Sequence, residues 1–362
     1  MKNDLRWTAA EVVALRDVTP TVREFTLRPD ALAAQPHGRH EPGAHLQVQV
    51  LTESGGIQTR SYSLIGEGAD GHWRIAVKRL DAGRGGSLAM WQLAVGDRLP
   101  VSEPQNHFPL DLAAPGYLLV AGGIGVTPIV GMAQRLGAHV RRHGVPVRML
   151  YGARHVGEFG YLADLQHALG GDAVQVHEGA ASIDFAAAIA ALPAGGQLYV
   201  CGPVAMLEAV QQAWQASGRP AQHLRFETFG SSGRLVSQPF EVRIPRHRLT
   251  LTVPADRTLL EVLEAAGVET LSNCRRGECG LCAMDVLAVD GDIDHRDVFL
   301  SPHEKQAASR LCACVSRAVG SVTLDSAYRD DGAFDGNAAS RLRDDRAARP
   351  GIAQEGAAST PG

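Results

Sequence analysis

The stretch NCRRGECGLC, residues 273–282, sets Cys274, Cys279 and Cys282 at the spacing C-x4-C-x2-C, and Cys312 and Cys314 follow in LCACVSRA. Five of the six cysteines thus fall between positions 274 and 314, with Cys201 apart. In a reducing compartment, clustered thiols bind metal or do redox chemistry more often than they form disulfides. Such a compartment is expected. The N-terminal MKNDLRWTAAEVVALRD interrupts its apolar residues with Glu11 and Arg16, unlike a signal peptide. The uncharged stretch 112–134 holds Pro115, Gly116, Gly122, Gly123, Gly125, Pro128 and Gly131, which argue against a spanning helix. The expectation is a cytoplasmic protein without membrane contact whose cysteines hold a metal centre.

Structural zinc sites present two short pairs of ligands at C-x2-4-C spacing. Here the gaps are four and two, with a last cysteine some thirty residues on, the plant-type arrangement that holds [2Fe-2S]. Gly277 and Gly280 let the loop wrap the cluster with backbone N–H groups facing sulfur. A zinc ribbon is the competing reading. If LCACVSRA is a strand, Cys312 and Cys314 share a face, so direction alone does not choose the fourth ligand.

The elements that must position this loop fall into three textures. At 362 residues the chain is long enough for two or three domains. Its net charge of -4, with 45 % hydrophobic and 20 % charged residues, describes a globular protein without the basic stripe that nucleic acid requires. Residues 1–112 read as short strands at 24–27, 44–50, 60–64 and 73–80 between glycine-rich turns, an antiparallel β-barrel. Residues 113–229 alternate strand and helix: YLLVAGG, a loop GIGVTP, the helix IVGMAQRLGAHVRRHG, the strand VRMLYGA, then FAAAIAAL, QLYVCGP and VAMLEAVQQAWQASG. That pattern predicts an α/β domain with a parallel sheet. Residues 230–239, GSSGRLVSQP, read as a linker. Residues 240–327 read as an α+β unit: two strands, FEVRI and LTLTV, joined at PRHR, then the helix TLLEVLEAAG closed by Gly267 and the cysteine loop. From 328 to 362 the chain is poor in apolar residues and predicts a disordered tail.

Other motifs support a redox reading. RSYSL at 60–64 resembles the R-x-Y-S of the ferredoxin reductase superfamily. GRGGS at 83–87 offers backbone N–H groups and the Ser87 hydroxyl to a phosphate. AGGIGVTP at 121–128 follows a strand and opens a helix, where glycines admit pyrophosphate and the helix N-terminus favours its charge. YVCGP at 199–203 and FETFG at 226–230 resemble the nicotinamide end of the same superfamily. With NHFPL, DHRD and CVSRA, the resemblance over residues 8–327 is to the phthalate dioxygenase reductase family, which includes vanillate demethylase reductases.

That resemblance implies an order of flavin barrel, nicotinamide domain and β-grasp ferredoxin domain, with FMN, NADH and [2Fe-2S] as cofactors. On the barrel it implies flavin contacts from Arg60 (phosphate), Ser61, Tyr62 (stacking), Ser63 (near N5), Val77 and Lys78. Gly85, Gly86 and Ser87 complete the phosphate site. For the nucleotide it implies Gly122, Gly123, Gly125, Thr127 and Pro128, then Cys201, Gly202 and Pro203, with Glu227 and Phe229 near flavin and nicotinamide. Ser63, Thr127 and Glu227 would orient and polarise, with no general acid or base in the hydride step. The family's last cluster ligand precedes V-S-R-A, which makes Cys314 the fourth ligand beside Cys274, Cys279 and Cys282. The 31 residues between Cys282 and Cys314 imply a small insertion in LAVDGDID. Arg154 and His155, after the second strand, leave the choice of NADH over NADPH to the resemblance. The implied acceptor is the Rieske-type oxygenase component of an aromatic-ring dioxygenase or demethylating monooxygenase, with Arg275, Arg276 and Glu278 offering a docking surface. A haem monooxygenase as acceptor, or a redox sensor, are the alternatives.

Overall fold

The computed structural model of the protein describes residues 5–325 apart from 31–39, 54, 67–70, 82, 180–182, 230–234 and 236. The expected linker lies largely outside the described residues, and the expected tail wholly so.

Strands β1 (Trp7–Thr19), β2 (Val22–Pro29), β3 (Ala44–Leu51), β4 (Ile57–Ser63) and β5 (Trp73–Lys78) precede helix α1 (Gly86–Gln92), followed by β6 (Arg98–Ser102) and β7 (Gln105–Asn106). They pair antiparallel in the order β4-β3-β6-β1-β2-β5, with β7 on β3. A bridge between Leu64 and Ile75 joins the two ends of that order, so the sheet closes into the expected barrel. Alternation puts Phe25, Leu27, Leu46, Val48, Trp73 and Ile75 in its core, all fully buried. His45 breaks the alternation. It should face outward from β3, yet it is 1 % exposed, because Arg276 of the cysteine loop and His107 stand against that face.

The second sheet is parallel. Strands β8 (Tyr117–Gly122), β9 (Val147–Ala153), β10 (Val174–Glu178), β11 (Gln197–Cys201) and β12 (Leu224–Glu227) lie in the order β10-β9-β8-β11-β12. Helices α2 (Val126–His143), α3 (Leu162–Leu169), α4 (Phe185–Ala190) and α5 (Val204–Ala216) connect them. The order reverses at β8, and a crevice opens there at the carboxyl ends of the strands. Helix α2 starts at Val126, three residues before the expected Ile129. Pro128 is accommodated because the N–H it lacks has no intrahelical partner in the first turn.

The third sheet, in the order β14-β13-β17-β15-β16, is mixed. It comprises β13 (Phe240–Ile244), β14 (Leu249–Val253), β15 (Ala283–Asp294), β16 (Arg310–Cys312) and β17 (Arg317–Asp325), with helices α6 (Leu259–Ala265) and α7 (Pro302–Ala307). Strands β13 and β17 are parallel, the others antiparallel, as a β-grasp requires. Thr258 and Glu261 form a capping box that starts α6, and Gly267 sits just past its end at φ 75°. The LAVDGDID stretch, where the resemblance implies a small insertion, is strand. It belongs to β15, paired to β17, with a bulge between Val286 and Ala288.

Among the described residues no helix is long and apolar enough to cross a membrane.

Candidate functional site

The cysteine loop follows α6 and returns into β15, so the chain brings Cys274, Cys279 and Cys282 together before the sheet resumes. Cys274 accepts hydrogen bonds from the backbone N–H groups of Arg276, Glu278 and Cys279, each at 3.4 Å. Arg275 at φ 52°, Gly277 at 78° and Gly280 at 71° turn the backbone inward to make this possible. A Cβ at Gly277 would lie 2.7 Å from Val315, and one at Gly280 would lie 2.2 Å from the Phe299 ring, so both positions require glycine.

The thiols form two groups rather than a ring around one ion. Cys274 hydrogen-bonds Cys279, pushing Cys279 down to about 5 and Cys274 up. Cys282 takes hydrogen bonds from Cys312 and Cys314, which push it down to about 4 while Cys312 and Cys314 rise. Among the described residues no three His, Cys, Asp or Glu side chains converge on a single metal ion. Two groups of thiols, one wrapped by three N–H groups, fit a two-iron cluster held by four of these five cysteines. Cys312 and Cys314 are not on one strand. β16 ends at Cys312, and residues 313–315 form a turn, so both thiols reach Cys282 by different routes.

A cavity of about 390 Å³ lies beside this loop at the meeting of the three sheets. Its barrel wall holds Arg60, Ser61, Tyr62, Ser63, Val77 and Lys78, with Gly86 and Ser87 at one end; Thr127 and Phe229 come from the second domain. All of these were expected from the sequence. Gly85 is the N-cap of α1 at φ 83°, and a Cβ there would face Thr52 rather than the cavity. Tyr62 is pushed up to about 12 by burial, so its phenol stays neutral. Ser87 Oγ accepts from Leu80 N at 3.1 Å, which leaves its own O–H to donate.

The third domain contributes a wall that sequence reasoning missed: Ala255, Asp256, Thr258, Arg276, Arg296 and Arg317 all line the cavity. Gln58 Nε2 ties the barrel to it by donating to Arg84 O at 2.7 Å and Asp256 O at 3.0 Å. Arg296 and Arg317 are occupied, Arg296 by Asp294, Ser237 and Leu235, Arg317 by the carbonyls of Arg257, Gln238 and Pro254. Arg60 donates to Thr59 O at 2.9 Å and to Gln58 Oε1, but its charge and that of Arg84 face one carboxylate between them. Their nearest shared carboxylate, Glu261, stands 3.8 and 3.9 Å away. Burial and the neighbouring Arg60 push Arg84 down to about 10. Two crowded guanidinium groups beside Gly86 and Ser87 share the Glu261 carboxylate, two positive charges to one negative, and a phosphate such as that of FMN fits beside them.

At the crevice of the second sheet the glycines divide by role. A Cβ at Gly122 would meet Pro203 at 2.5 Å, and one at Gly125 would meet the Cys201 carbonyl oxygen at 2.3 Å. These two let the β8 and β11 loops pack, and Gly202 lies in the same contact. Only Gly123, at φ 52° with nothing within 4 Å of where a Cβ would stand, opens onto free space where a pyrophosphate could approach. Thr127 donates to Ile124 O at 3.0 Å, Pro128 is buried in the helix, and Cys201 is fully buried at the end of β11, its thiol pushed well up by burial and then by Glu227.

Glu227 ends β12 opposite Cys201. Its carboxylate accepts from Ser63 Oγ at 3.1 Å and from Arg276 Nη1, with both Glu227 and Arg276 buried. Arg276 also lies 3.4 Å from Glu278, whose carboxylate accepts from Thr228 N. The expectation that Arg276 and Glu278 form an exposed docking surface is therefore incorrect. Both point inward because Glu227 and Thr228 offer the partners that make burial of these charges tolerable.

A glycine-opened nucleotide crevice, a cavity edged by two guanidinium groups and paired cysteines define an NAD(P)H-dependent oxidoreductase with an iron-sulfur centre. Residues 242–319 match the family described as 2Fe-2S iron-sulfur cluster binding domain, and residues 119–212 match the oxidoreductase NAD-binding domain. The heme-dependent oxidative N-demethylase beta subunit of Ectopseudomonas mendocina is 38 % identical over 315 residues, 86 % of this chain and 96 % of the relative. The vanillate O-demethylase oxidoreductase of a Pseudomonas species is 38 % identical over 286 residues, 77 % of this chain and 87 % of the relative. Among solved structures, phthalate dioxygenase reductase, described as modular for electron transfer from pyridine nucleotides to [2Fe-2S], superposes with a TM-score of 0.71 at 31 % identity, covering 88 % of this chain and 98 % of that one. The chain belongs to the phthalate dioxygenase reductase family, with an NAD-binding domain and a [2Fe-2S] domain in one chain.

Proposed function

We propose that this protein carries electrons from NADH through FMN and [2Fe-2S] to the Rieske-type cluster of a separate oxygenase component. The observation that carries this reading is a cavity walled by all three domains, with the cysteine loop at one side and the nucleotide crevice at the other. FMN, when bound, supplies the conversion of a two-electron hydride into single electrons. The residues hold and orient it. Arg60, Arg84 and Ser87 would receive its phosphate, Tyr62 and Val77 would flank the ring, and the Ser63 hydroxyl, held by Glu227, would orient it. Cys274, Cys279, Cys282 and Cys314 hold the cluster. No side chain is assigned a proton transfer in the hydride step.

Glu178 supports NADH. It ends β10 in register with Ala153 of β9, at the carboxyl edge beside Arg154 and His155. A carboxylate there can accept from a ribose 2′-hydroxyl and repels a 2′-phosphate.

The acceptor would dock where the cluster is nearest to solvent. Cys279 is the only one of the four assigned ligands that is not buried, and beside it Leu281 is 46 % and Phe299 43 % exposed. A second reading, favoured by the likeness to the heme-dependent N-demethylase subunit, keeps the electron path and makes the acceptor a haem protein.

The test is an anaerobic titration of the purified protein with NADH and, separately, NADPH, followed by visible absorption and electron paramagnetic resonance. Flavin bleaching followed by the signal of a reduced [2Fe-2S] centre, at lower NADH than NADPH concentration, is the expected result. A colourless zinc protein would overturn it. Capture of the partner from the native host then separates the acceptors, by a Rieske resonance or by a Soret band.

A further inference from the structure

The Arg276 side chain is 5 % exposed and the Glu227 side chain 1 %, and each belongs to a different domain. Arg276 stands two residues after Cys274 and gives its backbone N–H to that sulfur. Its guanidinium reaches Glu227, whose other oxygen holds Ser63 of the barrel. Glu278, on the same loop, takes the backbone N–H of Thr228, immediately after Glu227. The loop that wraps the cysteines is therefore pinned at two adjacent points to the end of β12, and through Glu227 to β4. His45 and His107, whose rings lie 5.2 Å apart on the barrel, are both pushed down, by burial first and then by Arg276, and so stay neutral beside it. Burial opposes the charge of Arg276, but Glu227 and then Glu278 offset it, while Glu278 itself is raised to about 7 because its own burial outweighs the pull of Arg276.

We propose that Arg276 is a positioning residue that latches the cysteine loop onto Glu227, fixing the orientation of the ferredoxin domain toward the flavin cavity and hence the rate of electron transfer between them. The inference rests on the electron path proposed above. It makes one residue answer for two linked facts: the cluster loop keeps its register, and the Ser63–Glu227 pair faces the cavity. Arginine suits this task because Nη1 hydrogen-bonds Glu227 while Nη2 stands 3.4 Å from Glu278, a span that a lysine ammonium cannot cover with the same geometry.

The test compares the cluster-loaded wild-type protein with Arg276→Met and Arg276→Lys. Rapid mixing with NADH separates flavin bleaching from the later appearance of the reduced cluster, and hydrogen exchange reads the Thr228 amide, which is donated across the interface. In Arg276→Met the cluster phase is expected to slow at least tenfold, with faster exchange at Thr228 and unchanged exchange in the β15–β17 ladder. Arg276→Lys is expected to lie between it and wild type in both readouts. If Arg276→Met does not take up the cluster, Arg276→Lys decides alone. A loaded variant with wild-type cluster reduction, or with wild-type protection at Thr228, overturns the latch. Failure of NADH to reduce the wild-type protein would instead overturn the electron path, while Thr228 exchange would still report on the latch.

Discussion

Ser63 Oγ donates to Glu227 Oε2 at 3.1 Å across the interface between two domains, joining residues 164 positions apart in the chain. The pair sets the hydroxyl at the cavity wall without offering a proton relay to solvent, since both residues are buried. Ser63→Ala should lower kcat/KM for flavin reduction by NADH about ten- to a hundredfold, the cost of a small loss of alignment. The pH profile should keep its shape. Complete loss of reduction with both cofactors still bound would instead make this pair an acid–base device. Glu227→Gln is the less clean variant, because removing one partner of a buried ion pair costs about 3–5 kcal/mol.

Arg60 and Arg84 crowd one end of the cavity with only Glu261 nearby. Arg60→Ala should weaken FMN by about 1.5–3 kcal/mol, roughly a ten- to hundredfold rise in Kd. Riboflavin, which lacks the phosphate, should bind the variant and the wild type alike in equilibrium dialysis. Equal losses for both flavins would place the ring, not the phosphate, at these arginines.

Cys312 and Cys314 both reach Cys282, and serine substitution tells them apart. Cys314→Ser should lose iron and the reduced-cluster resonance, whereas Cys312→Ser should keep both. The reverse result would transfer the ligand role to Cys312.

His45 is held down to about 2 by burial, Arg276 and His107. Since its folded value lies below the unfolded one, about 6.5, its neutral form contributes stability above that pH which is lost as pH falls. The unfolded state binds the proton first, so the slope reaches about 1.4 kcal/mol per pH unit below 6. His45→Phe should flatten denaturant-measured stability between about pH 6 and 4. An unchanged slope would show that other groups carry the acid sensitivity.

Leu281 and Phe299 flank the exposed side of the cysteine loop. Leu281→Ala with Phe299→Ala should slow reoxidation of the reduced cluster by the oxygenase component at least fivefold while NADH still reduces the cluster at the wild-type rate. Truncated interface anchors typically cost about 1–2 kcal/mol, which sets that scale. Slowing of both steps alike would mean that Phe299 serves the loop, through its contact with Gly280, and not the partner.

The cluster loop was legible because C-x4-C-x2-C is local chemistry: the ligand spacing and the two glycines act within ten residues. RSYSL and AGGIGVTP were legible for the same reason, each being a short backbone feature that carries its own turn. Arg84, Gln58, Arg296 and Arg317 were not, although Arg296 and Arg317 stand in DHRD and CVSRA. Nothing in a local arginine tells that a second domain will bury it at the edge of a cavity. Glu178 was missed in the same way, since it lies on the strand next to the one that leads to Arg154.

By itself the sequence determined the three textures, the order of the domains and the residue types at each cofactor, because strand alternation, helix periodicity and ligand spacing are properties of short segments. Only the tertiary structure decided that Arg276 faces Glu227 rather than solvent, that His45 is enclosed, and that the ferredoxin domain supplies a wall of the cavity. The reason is physical. A charge at the surface and a charge in a buried pair have the same sequence, and they are told apart only by the partners that docking brings within reach.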